Sequence, residues 1–212
     1  MYIQNFEAFL IAITVLTLTP GLDTALVIKN TSRSGAKDGV VTSLGICFGL
    51  FIHATLSAIG VSAILLQSAE LFQAMKMVGA CYLIWLGIGG IRSMLKNSGN
   101  MDVSGQGMLE FNAKRSFREG FLSNVLNPKT AVFYLAFLPQ FINPEHSPII
   151  QSLVLAGIHF FVAMAWQCGL AGALNSAKKL VSNGSLINKM EGVTGSVLIF
   201  LGFKLILDDT QV

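Results

Sequence analysis

Six long apolar segments constrain what this chain can fold into more than any other feature of its sequence. A helix rises about 1.5 Å per residue, so crossing a hydrocarbon core of roughly 30 Å takes about 20 residues. Only 12% of the residues are charged, whereas soluble domains carry about a quarter. We therefore predict an all-α membrane protein with six transmembrane helices, at about residues 6–28, 40–66, 72–94, 117–141, 149–173 and 190–207.

The basic residues predict how these spans are oriented. Eleven of the 14 Lys and Arg residues lie in the connections after the first, third and fifth spans, and the alternate connections hold almost none. Connections rich in Lys and Arg remain in the cytoplasm. Both termini are therefore expected outside, in agreement with the acidic tail at Asp208 and Asp209. This pattern indicates a multi-pass protein of the bacterial inner (plasma) membrane, and the net charge of +3 is too small to indicate a nucleic-acid partner.

Two proline segments resemble each other in the first and fourth spans. Residues 18–25 read Leu-Thr-Pro-Gly-Leu-Asp-Thr-Ala, and residues 126–131 read Leu-Asn-Pro-Lys-Thr-Ala. Each places a hydrogen-bonding residue before a proline, and a charge followed by Thr-Ala after it. Because three spans separate them, the two segments cross the membrane in opposite directions. The pattern predicts two inverted three-helix repeats with proline-broken first and fourth helices, an arrangement typical of secondary transporters.

The longest polar stretch divides these two halves. It is rich in Gly, Ser and Asn and has no apolar periodicity, which is typical of a flexible linker. We predict a first three-helix repeat at residues 1–95, a cytoplasmic linker at 96–116 and a second repeat at 117–212. Together they form one transporter domain.

The second and fifth spans each carry a stripe of small and polar residues at steps of four. His53 lies 33 residues after Pro20, and His159 lies 31 residues after Pro128, as a repeat requires. Stripes of small residues usually allow helices to pack closely, and that is the expected role of the glycines. The two stripes are Gly45, Gly49, His53 and Ser57, and His159, Ala163, Gln167 and Ala171.

Asp23 and Lys129 are the charged residues predicted to lie within spans beside the prolines, and they are the strongest candidates for a functional role. An ionised side chain near the bilayer centre costs about 2.5 to 3.5 kcal/mol on insertion scales. The proline before each charge frees carbonyl groups in the preceding turn, and the restarting helix points unpaired N–H groups at the same region. This suits a zwitterion, with its ammonium at Asp23 and its carboxylate at Lys129. The predicted substrate-binding residues are Thr19, Pro20, Gly21, Asp23, Thr24, Asn127, Pro128 and Lys129.

The residue types also predict the walls of the site. Aromatic and aliphatic walls from Phe133, Tyr134 and their neighbours are expected to close around the substrate. The alternative to a binding site is an ion pair between Asp23 and Lys129 that only fastens the two halves together.

Export against a gradient needs an energy source, and the sequence has no nucleotide loop of the Gly-x-x-x-x-Gly-Lys-Ser/Thr type. A proton and a substrate ammonium can compete for the carboxylate of Asp23, so we predict proton antiport without a cofactor. His53 is the second candidate for proton coupling because imidazole titrates near neutral pH. A hydrogen bond within a packed helix is the alternative role of His53.

These segments resemble the lysine exporter and homoserine/threonine-resistance (LysE/RhtB) family of amino-acid efflux proteins. Residues 19–23 are similar to that family's Thr-Pro-Gly-Pro-Asp/Asn motif, with Leu22 where the family usually has a second proline. Further similar runs are residues 44–53, 79–83, 85–87 and 120–122, and Asn127-Pro128-Lys129 leading to residues 137–141. The resemblance implies efflux of amino acids or their derivatives driven by an ion gradient. It also implies a homodimer.

Other functions fit the sequence less well. A rhomboid-type intramembrane protease needs a Gly-x-Ser-Gly segment, which is missing, so no enzyme is predicted. A heavy-metal exporter needs clustered Cys, His or carboxylates, and Cys47, Cys81 and Cys168 are scattered, so we expect them to be buried packing residues rather than metal ligands. An ion or small-solute channel, or a cation exporter of the same architecture, remains the alternative.

Overall fold

The computed structural model describes residues 3, 5–65, 69–96, 110–143, 145–176 and 184–207, and the regular structure within them is helical throughout. A π-helical turn (Phe133–Phe137) and a 3-10 turn (Leu138–Phe141) follow the sixth helix. The helices are α1 (Phe6–Leu18), α2 (Leu22–Ser34), α3 (Ala36–Leu65), α4 (Ala69–Lys96), α5 (Ala113–Val125), α6 (Pro128–Val132), α7 (Pro148–Ser176) and α8 (Gly184–Leu207).

Several of these helices are long and apolar enough to cross a membrane. Within the described ranges they are the parts Ala36–Gly60 of α3, Met77–Lys96 of α4 and Pro148–Leu174 of α7. The pair α1 and α2 meets the same criterion together and is bent by 49° at its break. Large apolar side chains such as Phe161, Phe200 and Phe203 are exposed on the outside of the helices, as contact with lipid requires. The predicted all-α, multi-pass membrane fold is therefore supported, and the count of six spans remains a prediction.

The chain is interrupted at both of the predicted prolines. α1 ends at Leu18, and the N–H and hydroxyl groups of Thr19 both donate to the Val15 carbonyl. Pro20 has no N–H to continue the ladder, and α2 restarts at Leu22. At the second break Asn127 caps α6 by accepting a hydrogen bond from the Lys129 backbone N–H at 3.0 Å, with Pro128 in the first turn. Proline suits that position because its missing N–H would have no partner there.

Glycines bring α3 and α5 into close contact side by side. A Cβ atom on Gly45 would meet the backbone of Phe117 and Phe121, and one on Gly120 would meet the backbone of Thr42. Farther along, Gly49 lies against Asn124. Residue numbers rise together along both helices, so α3 and α5 run parallel. The expected packing role of the glycine stripe is confirmed.

α4 and α8 pack against each other in the opposite sense. A Cβ on Gly87 would meet the Gly195 carbonyl oxygen at 2.5 Å, and one on Gly195 would meet the Gly87 carbonyl oxygen at 2.6 Å. Gly202 lies against Ala80, so residue numbers rise in one helix as they fall in the other. This reciprocal contact is what two helices related by a twofold axis make at the point where they cross.

A polar cluster joins the ends of α2, α3 and α5. Arg33 forms salt bridges with Asp38 and Glu119, both at 3.1 Å, and Asp38 is fully buried. Asn30 donates to Glu119 at 2.8 Å. The cluster fixes this end of the helix bundle close to the start of α5. Of the predicted linker 96–116, residues 97–109 lie outside the described part, and its last residues already belong to α5, which begins at Ala113.

We expect Gly45→Ala to lower stability, because the added methyl group would collide with the α5 backbone. Overpacking of this kind costs about 1–3 kcal/mol. Gly157→Ala is the matched control, since a Cβ there meets nothing within 4 Å while the gain in helix propensity is the same. Thermal unfolding of the purified variants in detergent measures the difference. Equal unfolding temperatures for the two variants would contradict the close approach of α3 and α5.

Candidate functional site

The two helix breaks meet in the interior, and the first charge is held by groups from the second break. Asp23 lies in the first turn of α2. Its carboxylate accepts hydrogen bonds from the Ser123 hydroxyl at 2.8 Å, the Asn124 amide at 2.9 Å and the Asn127 amide at 3.1 Å. All three donors are neutral and lie at the end of α5 or at the cap of α6. The negative charge of one half is therefore stabilised by the other half.

The second charge is held in the converse way by the first break. The Lys129 ammonium donates to the Thr19 carbonyl at 3.0 Å and to the Leu16 carbonyl at 3.2 Å. These carbonyls lie at the C-terminal end of α1, where helix carbonyls lack partners and carry partial negative charge. Gly21 allows the approach, since a Cβ there would lie 3.3 Å from Lys129 Nζ. Asp23 and Lys129 form no salt bridge with each other, so the ion pair considered as the alternative is not present.

The two histidines of the stripes also reach across to the opposite break. His53 on α3 lies 2.9 Å from the Asn124 carbonyl through its Nε2 atom. His159 on α7 lies 3.1 Å from the Thr17 hydroxyl through Nε2 and 3.0 Å from the Tyr134 hydroxyl through Nδ1. Each histidine therefore steadies the broken helix of the other half. This is the hydrogen-bonded role that the sequence left open for His53.

A narrow cavity of about 40 Å³ lies between the breaks. It has room for only a few water molecules, at on the order of 10–15 Å³ each. Asp23 and Lys129 both line it, and Gln167 adds a buried amide oxygen without a partner in the described residues. The remaining walls are Leu16, Thr17, Thr19, Gly21, Thr24, Ile46, Leu50, Asn124, Thr130, His159 and Ala163. The cavity must widen before it can hold an amino acid.

The structure brings most of the predicted site residues to this cavity. Thr19, Gly21, Asp23, Thr24 and Lys129 line it. The predicted residues that do not line it are Pro20, His53, Asn127 and Pro128, although Asn127 holds Asp23 and both prolines make the breaks.

The expected aromatic walls lie elsewhere. Phe133 and Tyr134 are buried outside the lining, and Tyr134 acts through its hydrogen bond to His159. The expected aliphatic walls are present, but they come from other helices and include Leu16 and Ile46. The π-helical turn at Phe133–Phe137 turns these rings into the core.

Sequence reasoning missed Ser123 and Asn124, and it placed Gln167 on the stripe of α7 without assigning it to the site. The signal was present, since polar side chains inside apolar segments are rare and usually functional. Asn124 is almost fully buried, and its side-chain oxygen has no partner among the described residues. Asn124 and Gln167 increase the polarity of the cavity without adding charge, and Ser123 contributes through its hydrogen bond to Asp23.

The cysteines correct one expectation. Cys47 is buried as predicted, but Cys81 is exposed on α4 and Cys168 is half-buried. Thiols are apolar enough to face lipid as well as protein. Within the described part of the chain, no group of three or more His, Cys, Asp or Glu side chains is placed to hold a metal ion.

Comparison with known proteins agrees with this architecture. The LysE type translocator family matches residues 14–209. An uncharacterized membrane protein of Bacillus subtilis, YrhP, is 34% identical over 95% of this chain and 98% of its own length. A homoserine/homoserine lactone efflux protein of Salmonella typhimurium is 28% identical over 95% of this chain and 96% of its own length. No solved structure matches.

The family match covers nearly the whole chain, including both breaks and both charges. The relatives are similar over almost their full lengths. The prediction of a transporter rather than an enzyme is confirmed. This chain belongs to the LysE type translocator family of membrane transport proteins.

Proposed function

We propose that this protein exports neutral amino acids or their derivatives from the cytoplasm by proton antiport. One observation carries the proposal: an acid and an amine line the same cavity at two helix breaks, beside a large apolar core. A free amino acid carries the two opposite charges. The efflux of homoserine and its lactone by a relative points to the same class of compound.

We propose that the transporter has six spans in two inverted repeats, 1–95 and 117–212, joined by the linker 96–116. The crossed contacts support this arrangement. Asp23 and Lys129 occupy equivalent positions when Thr24-Ala25 is aligned with Thr130-Ala131. Each is held by the break of the other half, as are the two histidines. The reciprocal contact of Gly87 with Gly195 is consistent with a pseudo-twofold axis between α4 and α8.

Substrate binding exchanges partners within the cavity. The substrate ammonium approaches Asp23 and the carbonyls of Leu16 and Thr19 that now hold Lys129. The Lys129 ammonium turns to the substrate carboxylate. Each charged group then has an oppositely charged partner in place of neutral ones, and opposite charges attract strongly in a medium of low dielectric constant. That gain offsets the cost of removing the substrate from water.

Transport then requires the two breaks to separate. The cavity of about 40 Å³ is too small for an amino acid while the breaks are together. We propose that α1 and α2 move relative to α5 and α6, opening the cavity to one side of the membrane at a time. A proton on Asp23 removes its charge and favours release of the ammonium, which couples the two fluxes. We retain His53 as the second proton-coupling residue, the homodimer as the assembly and the outside location of both termini.

We expect Asp23→Asn and Lys129→Met each to reduce efflux of L-homoserine at least tenfold. Loss of one charge-assisted hydrogen bond removes about 1.5–3 kcal/mol, and tenfold corresponds to 1.4 kcal/mol. Efflux from proteoliposomes loaded with labelled substrate measures the effect, repeated over a panel of amino acids. Glu145→Gln and Lys37→Met are matched controls, because both side chains are exposed and far from the cavity.

The amount of folded protein in each variant is checked by size-exclusion chromatography in detergent. Wild-type efflux rates in both site variants for every substrate would show that the cavity is not the binding site. Absence of efflux by the wild type for the whole panel would overturn the proposed function itself.

Homoserine lactone separates the two charge roles, because the lactone keeps the ammonium but has no free carboxylate. We expect Lys129→Met to reduce transport of L-homoserine at least tenfold more than transport of its lactone, since one charge-assisted hydrogen bond is at stake. Asp23→Asn should reduce both to a similar extent. Competition between the two labelled compounds in the same vesicles gives the ratio. An equal loss of both in Lys129→Met would leave Lys129 without a role at the carboxylate.

Proton coupling predicts a directional response to pH. Acidifying the side toward which the substrate moves should accelerate wild-type efflux from proteoliposomes, and collapsing the gradient with a protonophore should remove the acceleration. Asp23→Asn should lose the response entirely. His53→Gln keeps a donor for the Asn124 carbonyl but cannot take up a proton, so it should keep exchange and lose part of the acceleration. If the pH gradient accelerated efflux by His53→Gln as much as by the wild type, His53 would have a structural role only. If the pH gradient did not affect wild-type efflux, the protein would be a channel rather than an antiporter.

A further inference from the structure

A second and larger cavity lies on the other side of Lys129. Its volume is about 330 Å³, within the range of roughly 300–1,000 Å³ that small-molecule sites occupy. It is bounded by α4, α8 and the first helix break. Its walls are Thr19, Pro20, Trp85, Leu86, Gly89, Gly90, Arg92, Ser93, Lys129, Glu191 and Leu198.

This cavity contains side chains of both charges. Arg92 and Lys129 are cationic and Glu191 is anionic, yet Glu191 forms no salt bridge among the described residues. One carboxylate oxygen of Glu191, Oε2, is buried and has no hydrogen-bond partner in the described part of the chain. A buried polar atom without a partner is rare and costs free energy. Glu191 therefore has an unused hydrogen-bond acceptor at the wall of a cavity large enough for a ligand.

The two cavities share residues. Thr19 and Lys129 line both of them. The Lys129 ammonium and the Thr19 carbonyl are 3.0 Å apart and stand between the two spaces. A molecule that leaves the larger cavity past these groups arrives at Asp23.

A third cavity provides a contrast. It lies beside the start of α5 and is lined by Asn112, Lys114, Arg115, Arg118 and Glu119. Three cations face one acid there, and that acid is already paired with Arg33. Such a lining favours an anion, whereas the cavity beside α8 offers an unpaired acid together with cations.

We propose that the cavity between α4 and α8 is a second subsite for the amino-acid substrate, occupied before the central cavity during export. Glu191 accepts the substrate ammonium, Arg92 binds its carboxylate, and Trp85 and Leu198 contact its side chain. The subsite lies toward the end of α4 that bears Arg92 and Lys96, the end predicted to be cytoplasmic. Lys129 then draws the carboxylate inward. The subsite rests on the proposed function, because it takes the same substrate.

Kinetics from the two faces of the membrane test this subsite. Inside-out vesicles present the cytoplasmic face, and counterflow into right-side-out vesicles presents the outer face. We expect Glu191→Gln to raise the KM for L-homoserine about tenfold at the cytoplasmic face and to leave the KM at the outer face unchanged. Arg92→Gln should raise the cytoplasmic KM for homoserine but not for homoserine lactone. A merely structural loss would alter both faces and both compounds.

Filling the cavity gives an independent variant that does not remove a charge. Gly89 lines the cavity and a Cβ on it meets nothing within 4 Å, so we expect Gly89→Leu to reduce the space of the subsite without moving the backbone. We expect it to raise the cytoplasmic KM as Glu191→Gln does. The matched controls are Gly157→Leu, which also enters open space but lies outside the cavity, Glu110→Gln, which removes an exposed acid, and Lys96→Gln, which removes an exposed cation of α4.

The outcomes separate the subsite from the function on which it rests. Wild-type cytoplasmic KM values in both Glu191→Gln and Gly89→Leu, with transport abolished in Asp23→Asn, would overturn the subsite and leave the exporter intact. Equal KM changes at both faces would also overturn it. No transport by wild-type protein of any tested amino acid would overturn both proposals. A cytoplasmic KM raised in both variants and in none of the controls supports the subsite.

Discussion

The site depends on two charges that are neutralised across the molecule by groups that carry no formal charge. Asp23 is held by three neutral donors of the second half, and Lys129 by two carbonyls of the first half. Without such partners each charge would cost about 2.5 to 3.5 kcal/mol in the membrane interior. Because every partner comes from the opposite half, the charges hold the two breaks together, and any motion that separates the breaks must supply new partners. A zwitterion can provide new partners for Asp23 and Lys129 at once. When an empty site closes and excludes water, the two charges return to their original partners.

The breaks themselves supply the neutral partners. A continuous helix would use the Leu16 and Thr19 carbonyls internally, so Lys129 would find no acceptors there. Pro20 ends that internal bonding in the first span, and Pro128 interrupts the fourth span, where Asn127 caps the restarted helix while its amide also reaches Asp23. The glycine contacts of α3 with α5 set the distance at which these groups meet, since they bring Asn124 within 2.9 Å of His53 and of Asp23. The helix breaks therefore provide the hydrogen-bonding groups that hold the charges of the site.

Sequence alone predicted the elements of this arrangement better than their pairing. Apolar length and the two proline segments gave the all-helical membrane fold, both breaks and the charges, and a stripe at steps of four placed His53 and Gly49 on the face that meets α5. Periodicity reports which face of a helix is distinct but not which atoms lie opposite it. Hence the sequence did not predict that carbonyls would hold Lys129 or that Ser123 and Asn124 would donate to Asp23. It also did not predict that Glu191 Oε2 would lack a partner among the described residues. The exposed Cys81 was misjudged for a related reason, because an apolar segment has a lipid face and a core face that composition does not distinguish.

Charge balance explains why such a site can couple substrate to protons. With Asp23 ionised and Lys129 charged, the pair is neutral overall, and a zwitterion leaves it neutral. When a proton neutralises Asp23, Lys129 leaves the cavity with a net positive charge. Binding of the substrate ammonium is then unfavourable, because like charges repel strongly in a medium of low dielectric constant. The empty site can therefore return across the membrane with a proton, and the loaded site without one, but a state holding both is unfavourable. Mutual exclusion of this kind is the thermodynamic requirement for exchange, and the carboxylate and the amine on which it depends both line the cavity between the two breaks.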